Sequence, residues 1–252
     1  VRANTAVEEG AGIWTGSSSL TVAGRIEANL SSGSGGGVYQ DAGALVVTGD
    51  LEANRAGDDG GGLYLAAGTA DLGTVSLGYA RRGGGVFAEA GSLVVSGVAH
   101  NTGDDGAGIY NAGAVVDVAE LKENEATSDG GGLWQSAGTT TLGAVTDNEA
   151  ASGGGAFVRG GGLSGAATLQ GNHASTVGGG LRILCASDPV VLDLASFTVA
   201  GSQALDGGGL HVFGVGAQTC DVVLPAFSGN VATGDAAVHD DGEGGGVYAR
   251  GD

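Results

Sequence analysis

Apolar residues occur in runs of two to four, such as Leu45-Val46-Val47 and Leu93-Val94-Val95, without the three-to-four-residue spacing of an amphipathic helix. Glycines bound most of these runs, so the elements they predict are short strands joined by tight turns. A signature of glycines, one aliphatic residue and usually one aromatic recurs along the chain. Gly35-Gly36-Gly37-Val38-Tyr39, Gly60-Gly61-Gly62-Leu63-Tyr64 and Gly130-Gly131-Gly132-Leu133-Trp134 are representative. Its third glycines fall at 12, 37, 62, 85, 108, 132, 155, 180, 209 and 246, which gives spacings of 25, 25, 23, 23, 24, 23, 25, 29 and 37.

A second signature, apolar-x-x-Asn, precedes the glycines. It places Asn4, Asn29, Asn54, Asn101, Asn124, Asn148 and Asn172 seven or eight residues before a third glycine. The unit is too short for a strand-helix-strand crossover, but three strands of three to five residues fit it. The expected fold is therefore all-β, a right-handed parallel β-helix of about ten coils of 23–25 residues, each hydrogen-bonded to the next at about 4.8 Å. The expected strands are the glycine-aliphatic stretch, the middle apolar run and the stretch leading to the Asn. Gly43, Gly68, Gly91 and Gly138 are expected at the corner between the first two. Residues 1–252 read as one β-helix domain with longer, irregular coils over 181–252.

Asn tolerates left-handed backbone, and its amide both donates and accepts, so the asparagines are expected to form a structural ladder at a corner. Gly78 stands where one coil lacks Asn, which fits a left-handed requirement at that position. The pairing of apolar-x-x-Asn with Gly-Gly-aliphatic, clearest in Phe227-Ser228-Gly229-Asn230 and Gly244-Gly245-Gly246-Val247, resembles the repeats of chlamydial polymorphic outer-membrane proteins and related bacterial right-handed β-helix surface proteins. The resemblance covers nearly the whole chain. It implies the surface-exposed passenger of an autotransporter, a class that includes adhesins. The chain departs from that pattern in using Leu, Ile or Val where the family favours Phe, in its scarcity of cysteine, and in containing no aromatic-rich barrel segment.

Trp14, Tyr39, Tyr64, Phe87, Tyr110, Trp134 and Phe157 follow the aliphatic position in successive coils, and Arg182, His211 and Tyr248 continue the row. Neighbouring strand residues face opposite ways. The narrow coil favours the aliphatic row inside, leaving an exposed or half-exposed aromatic stack. Such a stack either stiffens the sheet or offers a strip to glycans or a protein partner.

Acidic residues recur three positions before the third glycine, at Glu9, Asp59, Asp105, Asp129, Asp206 and Glu243. Stacked carboxylates repel, and Arg82 is expected between Asp59 and Asp105, with Arg81 between Asp58 and Asp104. Either these turns are charge-balanced, or calcium binds among Asp58, Asp59, Asp104, Asp105 and Asp129. The nonapeptide motif of calcium β-rolls is absent.

With 55 Gly, 2 Pro and a net charge of −19, the composition is neither collagen-like nor that of an ordinary globule, and nucleic acid and direct membrane insertion are excluded as expectations. Cys185 and Cys220 in successive irregular coils are expected to form a disulfide, which places the chain outside the cell or on a bacterial surface. A lyase or glycosidase needs clustered acids with a basic partner. Here the acids repeat and Lys122 is the one lysine. His100, His173, His211 and His239 lack metal-ligand spacing, so the chain is expected to be non-catalytic. Its expected partners are a surface protein or glycan, or a second copy stacked axially as a filament. The absence of methionine, even at position 1, and of polar caps reads as a segment that continues into further coils or stacks end to end. The terminal Arg250-Gly251-Asp252 is a chance tripeptide on this reading.

Overall fold

The computed structural model of the chain describes residues 1–186, 190–215, 220–234 and 243–251. His239 and Asp252 lie outside the described residues. Among the described residues every element is a strand, and the strands pair in parallel with equivalent strands of neighbouring coils. The molecule is a right-handed parallel β-helix.

Three long sheets form its walls. The glycine-signature sheet has ten strands, beginning at Ile13–Thr15 and ending at Val247–Gly251. The middle sheet starts at Ser19–Val22 and ends at Ala226–Ser228. The third sheet, again of ten strands, runs from Thr5–Ala6 to Val231–Ala232. The third wall differs from the sequence-based expectation. The stretch leading to the Asn belongs to the middle sheet, as in the continuous strands Thr69–Ser76 and Val115–Lys122, and the third strand begins only after the Asn.

Rows of equivalent residues build the core. Leu51, Val75, Val98, Leu121, Val145 and Leu169 lie in register along the middle sheet, and all are fully buried. Val38, Leu63, Val86, Ile109 and Leu133 form the facing row from the glycine-signature sheet. The aliphatic residue of the signature therefore points inward, as expected.

The corner at the asparagines works differently from its expected form. The left-handed residue is the one before the Asn: Ala3, Ala28, Ala53, Leu77, His100, Glu123 and Asp147 all have φ between 50° and 56°, and Gly171, Gly201 and Gly229 hold the same place in later coils. The Asn directly precedes the next strand and uses its amide to tie the coils. Gly78 is correspondingly not the left-handed residue of its coil. It is small because a Cβ there would lie 2.3 Å from the Gly84 carbonyl oxygen. Gly43, Gly68, Gly91 and Gly138 do adopt positive φ, as expected.

The glycine triplet turns the chain at the next corner, from the third sheet into the glycine-signature sheet. Gly130 has φ +68°, a Cβ on Gly131 would sit 2.4 Å from the Glu149 carbonyl oxygen, and one on Gly132 would sit 2.6 Å from that of Gly155. The same Cβ would approach the Asn148 amide carbon to 3.2 Å. The glycines thus make room for the amide ladder as well as the turn. The spacings of 29 and 37 accommodate an extra parallel pair, Val190–Asp193 with Cys220–Val223, which buries Val190 and Leu192.

Two substitutions separate the roles at this corner. Asn124→Ala removes the acceptor of both Asn101 N–H groups and should cost about 1–3 kcal/mol. Asn124→Gly should cost at least as much, because Asn124 is not the left-handed residue. Leu77→Gly, at an exposed left-handed position, should stabilise by roughly 0.5–1 kcal/mol, the relieved strain less the added freedom of the unfolded chain. Urea denaturation midpoints report both, and a Leu77→Gly variant no more stable than the parent would contradict this account.

Candidate functional site

The recurring polar and aromatic residues form ladders along the rod. In the Asn ladder each Oδ1 accepts from the backbone N–H and the Nδ2 of the Asn in the preceding coil. Asn29 Nδ2 donates to Asn54 at 2.9 Å, and Asn101, Asn124 and Asn148 donate in turn to Asn124, Asn148 and Asn172 at 2.9–3.0 Å. Asn4 donates to Asn29 at 2.9 Å. At Gly78 the amide series is interrupted, and the Gly78 backbone N–H donates to Asn101 Oδ1 at 2.8 Å. The spare amide hydrogens go to inner carbonyls, as from Asn124 to Val98 at 2.9 Å. From Asn29 to Asn172 these amides are buried and mutually satisfied, which makes the ladder structural, and only Asn4 at its end is exposed.

Parallel register places the aromatic residues face to face. Centroids of Tyr39, Tyr64, Phe87 and Tyr110 are separated by 4.9, 5.0 and 5.0 Å with interplanar angles of 3°, 6° and 11°. Trp134 lies 4.2 Å beyond Tyr110, and Phe157 6.1 Å beyond Trp134. The expectation of an exposed or half-exposed stack holds for one end only. Trp14 is 56% exposed and Tyr39 and Tyr64 are half-buried, but Phe87, Tyr110, Trp134 and Phe157 are 2–8% exposed. Stacking hides their faces, and the Arg82 guanidinium lies 4.9 Å from the Phe87 centroid and 5.3 Å from that of Tyr110. Tyr64 donates from its hydroxyl to Glu89 at 2.6 Å; burial, reinforced by that bond, pushes its phenol up from its ordinary range.

Arg82 also does what the charge pattern expects. It lies in register between Asp59 and Asp105, with Nε and Nη2 donating to the two Asp59 oxygens at 2.8 and 2.6 Å. These bonds push the guanidinium's pKa up despite its partial burial. Arg81 pairs with Asp58 more loosely, at 3.8 Å, and Asp104 accepts from the Thr127 hydroxyl at 3.1 Å. The Asp105 carboxylate accepts from the Asp129 backbone N–H at 3.3 Å. Asp58, Asp59, Asp104, Asp105 and Asp129 therefore make separate contacts. Among the described residues no three His, Cys, Asp or Glu side chains form a group able to hold a metal, so the calcium expectation finds no ligand set here. Like charge stacked at the coil spacing is relieved by arginine and by hydrogen bonds.

Of the histidines, His100 is exposed and His173 half-buried, beside Glu123 and Glu149 at 3.1 and 3.5 Å, while His211 is buried. Cys185 and Cys220 are disulfide-bonded with Cα atoms 5.8 Å apart, tying the glycine-signature sheet to the extra strand pair. The bond is compatible with an oxidising extracellular setting.

A buried polar group inside the coil was not legible in the sequence. Gln40, Asn111, Gln135 and Thr140 occupy inward positions that other coils give to Leu65, Ala88, Val158 and Leu93. The Thr140 hydroxyl donates to Gln135 Oε1 at 2.5 Å, and Asn111 Nδ2 donates to Thr140 at 3.1 Å. Asn111 Oδ1 accepts from Ala114 N–H at 2.8 Å, which closes the corner where neighbouring coils have a left-handed glycine. Comparison of the chain with protein-family models, curated proteins and solved structures returns no match.

Burial, with Asp129 and Asp104 adding to it, raises the Asp105 carboxyl above its ordinary range against the pull of the Asp129 N–H and Arg82. A raised acid binds its proton more tightly folded than unfolded. Its ionised form therefore costs stability above the folded pKa, and that cost vanishes below the unfolded value. Asp105→Asn should consequently stabilise the rod near neutral pH, with the gain shrinking as pH falls through the carboxylate range. Denaturation curves across that range check it; a pH-independent effect would contradict the assignment.

The aromatic row makes a second prediction. Trp134→Ala should cost about 3 kcal/mol or more, whereas Trp14→Ala should change stability by under about 0.5 kcal/mol. Equal losses by thermal or urea denaturation would show that the two ends of the row are packed alike.

Proposed function

We propose that the chain is a non-catalytic structural and adhesive module of a bacterial cell-surface or secreted protein, a rigid rod that presents its outer face to a protein or glycan. The observation that carries this reading is the use of the recurring side chains. Asparagine amides, the Arg82 and Asp59 pair and the buried aromatic rings all bond coil to coil, so repetition is used for stiffness. The resemblance to polymorphic outer-membrane protein repeats points the same way, and the disulfide is compatible with life outside the cell.

Trp14, Tyr39 and Tyr64 are the part of the aromatic row left open for contact. Exposed aromatic rings beside acidic side chains suit sugar faces and basic protein surfaces. Immobilised chain is tested against arrays of glycans and extracellular-matrix proteins, with Trp14→Ala alongside. The expected result is saturable binding that Trp14→Ala weakens without altering the melting temperature. Release of reducing ends or unsaturated uronates from a polysaccharide, abolished by one unrepeated carboxylate substitution, would replace this reading with a carbohydrate-active enzyme.

A further inference from the structure

The open end of the aromatic row repeats an arrangement that is filled further along the rod. In the filled copy Arg82 stands between Asp59 and Asp105, donates to both Asp59 oxygens, and lays its guanidinium 4.9 Å from the Phe87 centroid and 5.3 Å from that of Tyr110. Nearer the start of the chain the same rows hold Glu9, Ser34 and Asp59 beside Tyr39 and Tyr64. The register is the same: the Gly10 N–H donates to the Ser34 carbonyl at 3.1 Å, as the Gly60 N–H donates to that of Arg82 at 3.0 Å. Tyr39 follows Ser34 by five residues, as Phe87 follows Arg82. Tyr39 and Tyr64 stack at 4.9 Å, as Phe87 and Tyr110 do at 5.0 Å. Carboxylate and rings are thus repeated, and a serine stands in the place of the arginine.

The consequence is exposure. Phe87 and Tyr110 are 4% and 8% exposed, whereas Tyr39 and Tyr64 are only half-buried and the Glu9 side chain is exposed. Trp14, in register with Tyr39, does not cover the gap, because its ring leans along Gly16, where a Cβ would meet it at 3.3 Å. The arginines of these first coils are engaged elsewhere, Arg2 and Arg25 beside Glu27 and Glu52, and Arg55 over the Tyr79 ring. Burial, and after it the charges of Glu9, Asp41 and Glu89, push the Tyr39 phenol above its ordinary range. The field around these rings is therefore negative, and a cation laid on them is drawn by carboxylate and ring together.

We propose that this end of the row is a socket for an arginine side chain of a basic partner protein, seated against Glu9 and over Tyr39 and Tyr64 as Arg82 is seated against Asp59 and over Phe87 and Tyr110. Glu9 supplies the carboxylate, since Asp59 is already held by Arg82. Arginine suits the place better than lysine, because its planar fork pairs with both carboxylate oxygens and stacks on a ring at once. A neutral sugar would use the rings and leave the carboxylate without a partner. The inference rests on the adhesive reading and names the partner's chemistry.

The test uses the whole disulfide-bonded chain at about 0.15 M salt, where long-range attraction to the acidic rod is screened. Capped peptides alternating glycine with arginine, lysine or glutamine are the probes, and NMR follows the Tyr39 and Tyr64 rings. The arginine peptide should shift both rings saturably, the lysine peptide should bind roughly fivefold more weakly, and the glutamine peptide should not bind. Glu9→Gln should weaken the arginine peptide about tenfold, whereas Glu120→Gln, at an exposed acid of the middle sheet, should leave it unchanged. Ser34→Arg places the chain's own guanidinium in the socket, so it should abolish binding and raise the melting temperature. The proposal is overturned if the arginine peptide leaves both rings unmoved at millimolar concentration, if arginine and lysine peptides bind alike, if Glu9→Gln and Glu120→Gln weaken binding alike, or if Ser34→Arg binds as the parent does. Binding to a glycan or matrix protein that needs Trp14 but is indifferent to Ser34→Arg would sink the socket and leave the adhesive reading standing; absence of both kinds of binding would sink both.

Discussion

Each coil is joined to the next by parallel main-chain hydrogen bonds in one register, and the rest of the structure depends on that register. It places every side chain about 4.8 Å from its counterparts above and below. A row is then tolerable only if its residue can neighbour itself. Leucine and valine can, and they fill the interior. Asparagine can, since one oxygen accepts from the amide and the main chain of the preceding coil. Flat rings can, and they settle into near-parallel stacks. Carboxylates repel, and at the acidic turns the chain inserts Arg82 or turns the oxygen toward a backbone N–H, while the in-register glutamates Glu27 and Glu52 have Arg2 and Arg25 beside them.

The same constraint decides what the sequence made legible. Two signatures held in register across most coils defined the fold, the inward aliphatic row and the place of Arg82. The residue carrying the left-handed backbone was misjudged, because asparagine supplies both a ladder amide and tolerance of that conformation. A signal was present: glycine directly precedes Asn172 and Asn230, as it precedes Ser202 in the coil between them, and all three of these glycines have positive φ. Where Ala28, Leu77 or Glu123 stands there instead, the strain is offset by the amide and main-chain bonds fixed on either side.

Burial of the aromatic row was illegible for another reason. Strand alternation says which way a ring points and nothing of what lies over it. Phe87 and Tyr110 are covered by Arg82, which comes from the neighbouring wall and is held there by Asp59. The charge pattern and the aromatic pattern are thus one arrangement, linked by a single guanidinium. The inward polar residues Gln40, Asn111 and Gln135 escaped notice because they replace aliphatic residues at a position with no signature of its own.

Self-compatible rows also limit where unique chemistry can arise. A side chain that repeats at every coil finds its partner in its own copy, so a row of this kind holds few unmet donors or acceptors. Side chains of unlike chemistry come together where the repeat falters. The coils lengthened to 29 and 37 residues carry the disulfide, the extra strand pair, and the change from stacked rings to Arg182, His211 and Tyr248. Arginine, histidine and tyrosine are not one another's copies, so this stretch of the row is held by a guanidinium over Phe157 and one ring stack. On a rod whose regular coils pair like with like, that irregular stretch is where side chains of unlike chemistry are brought together.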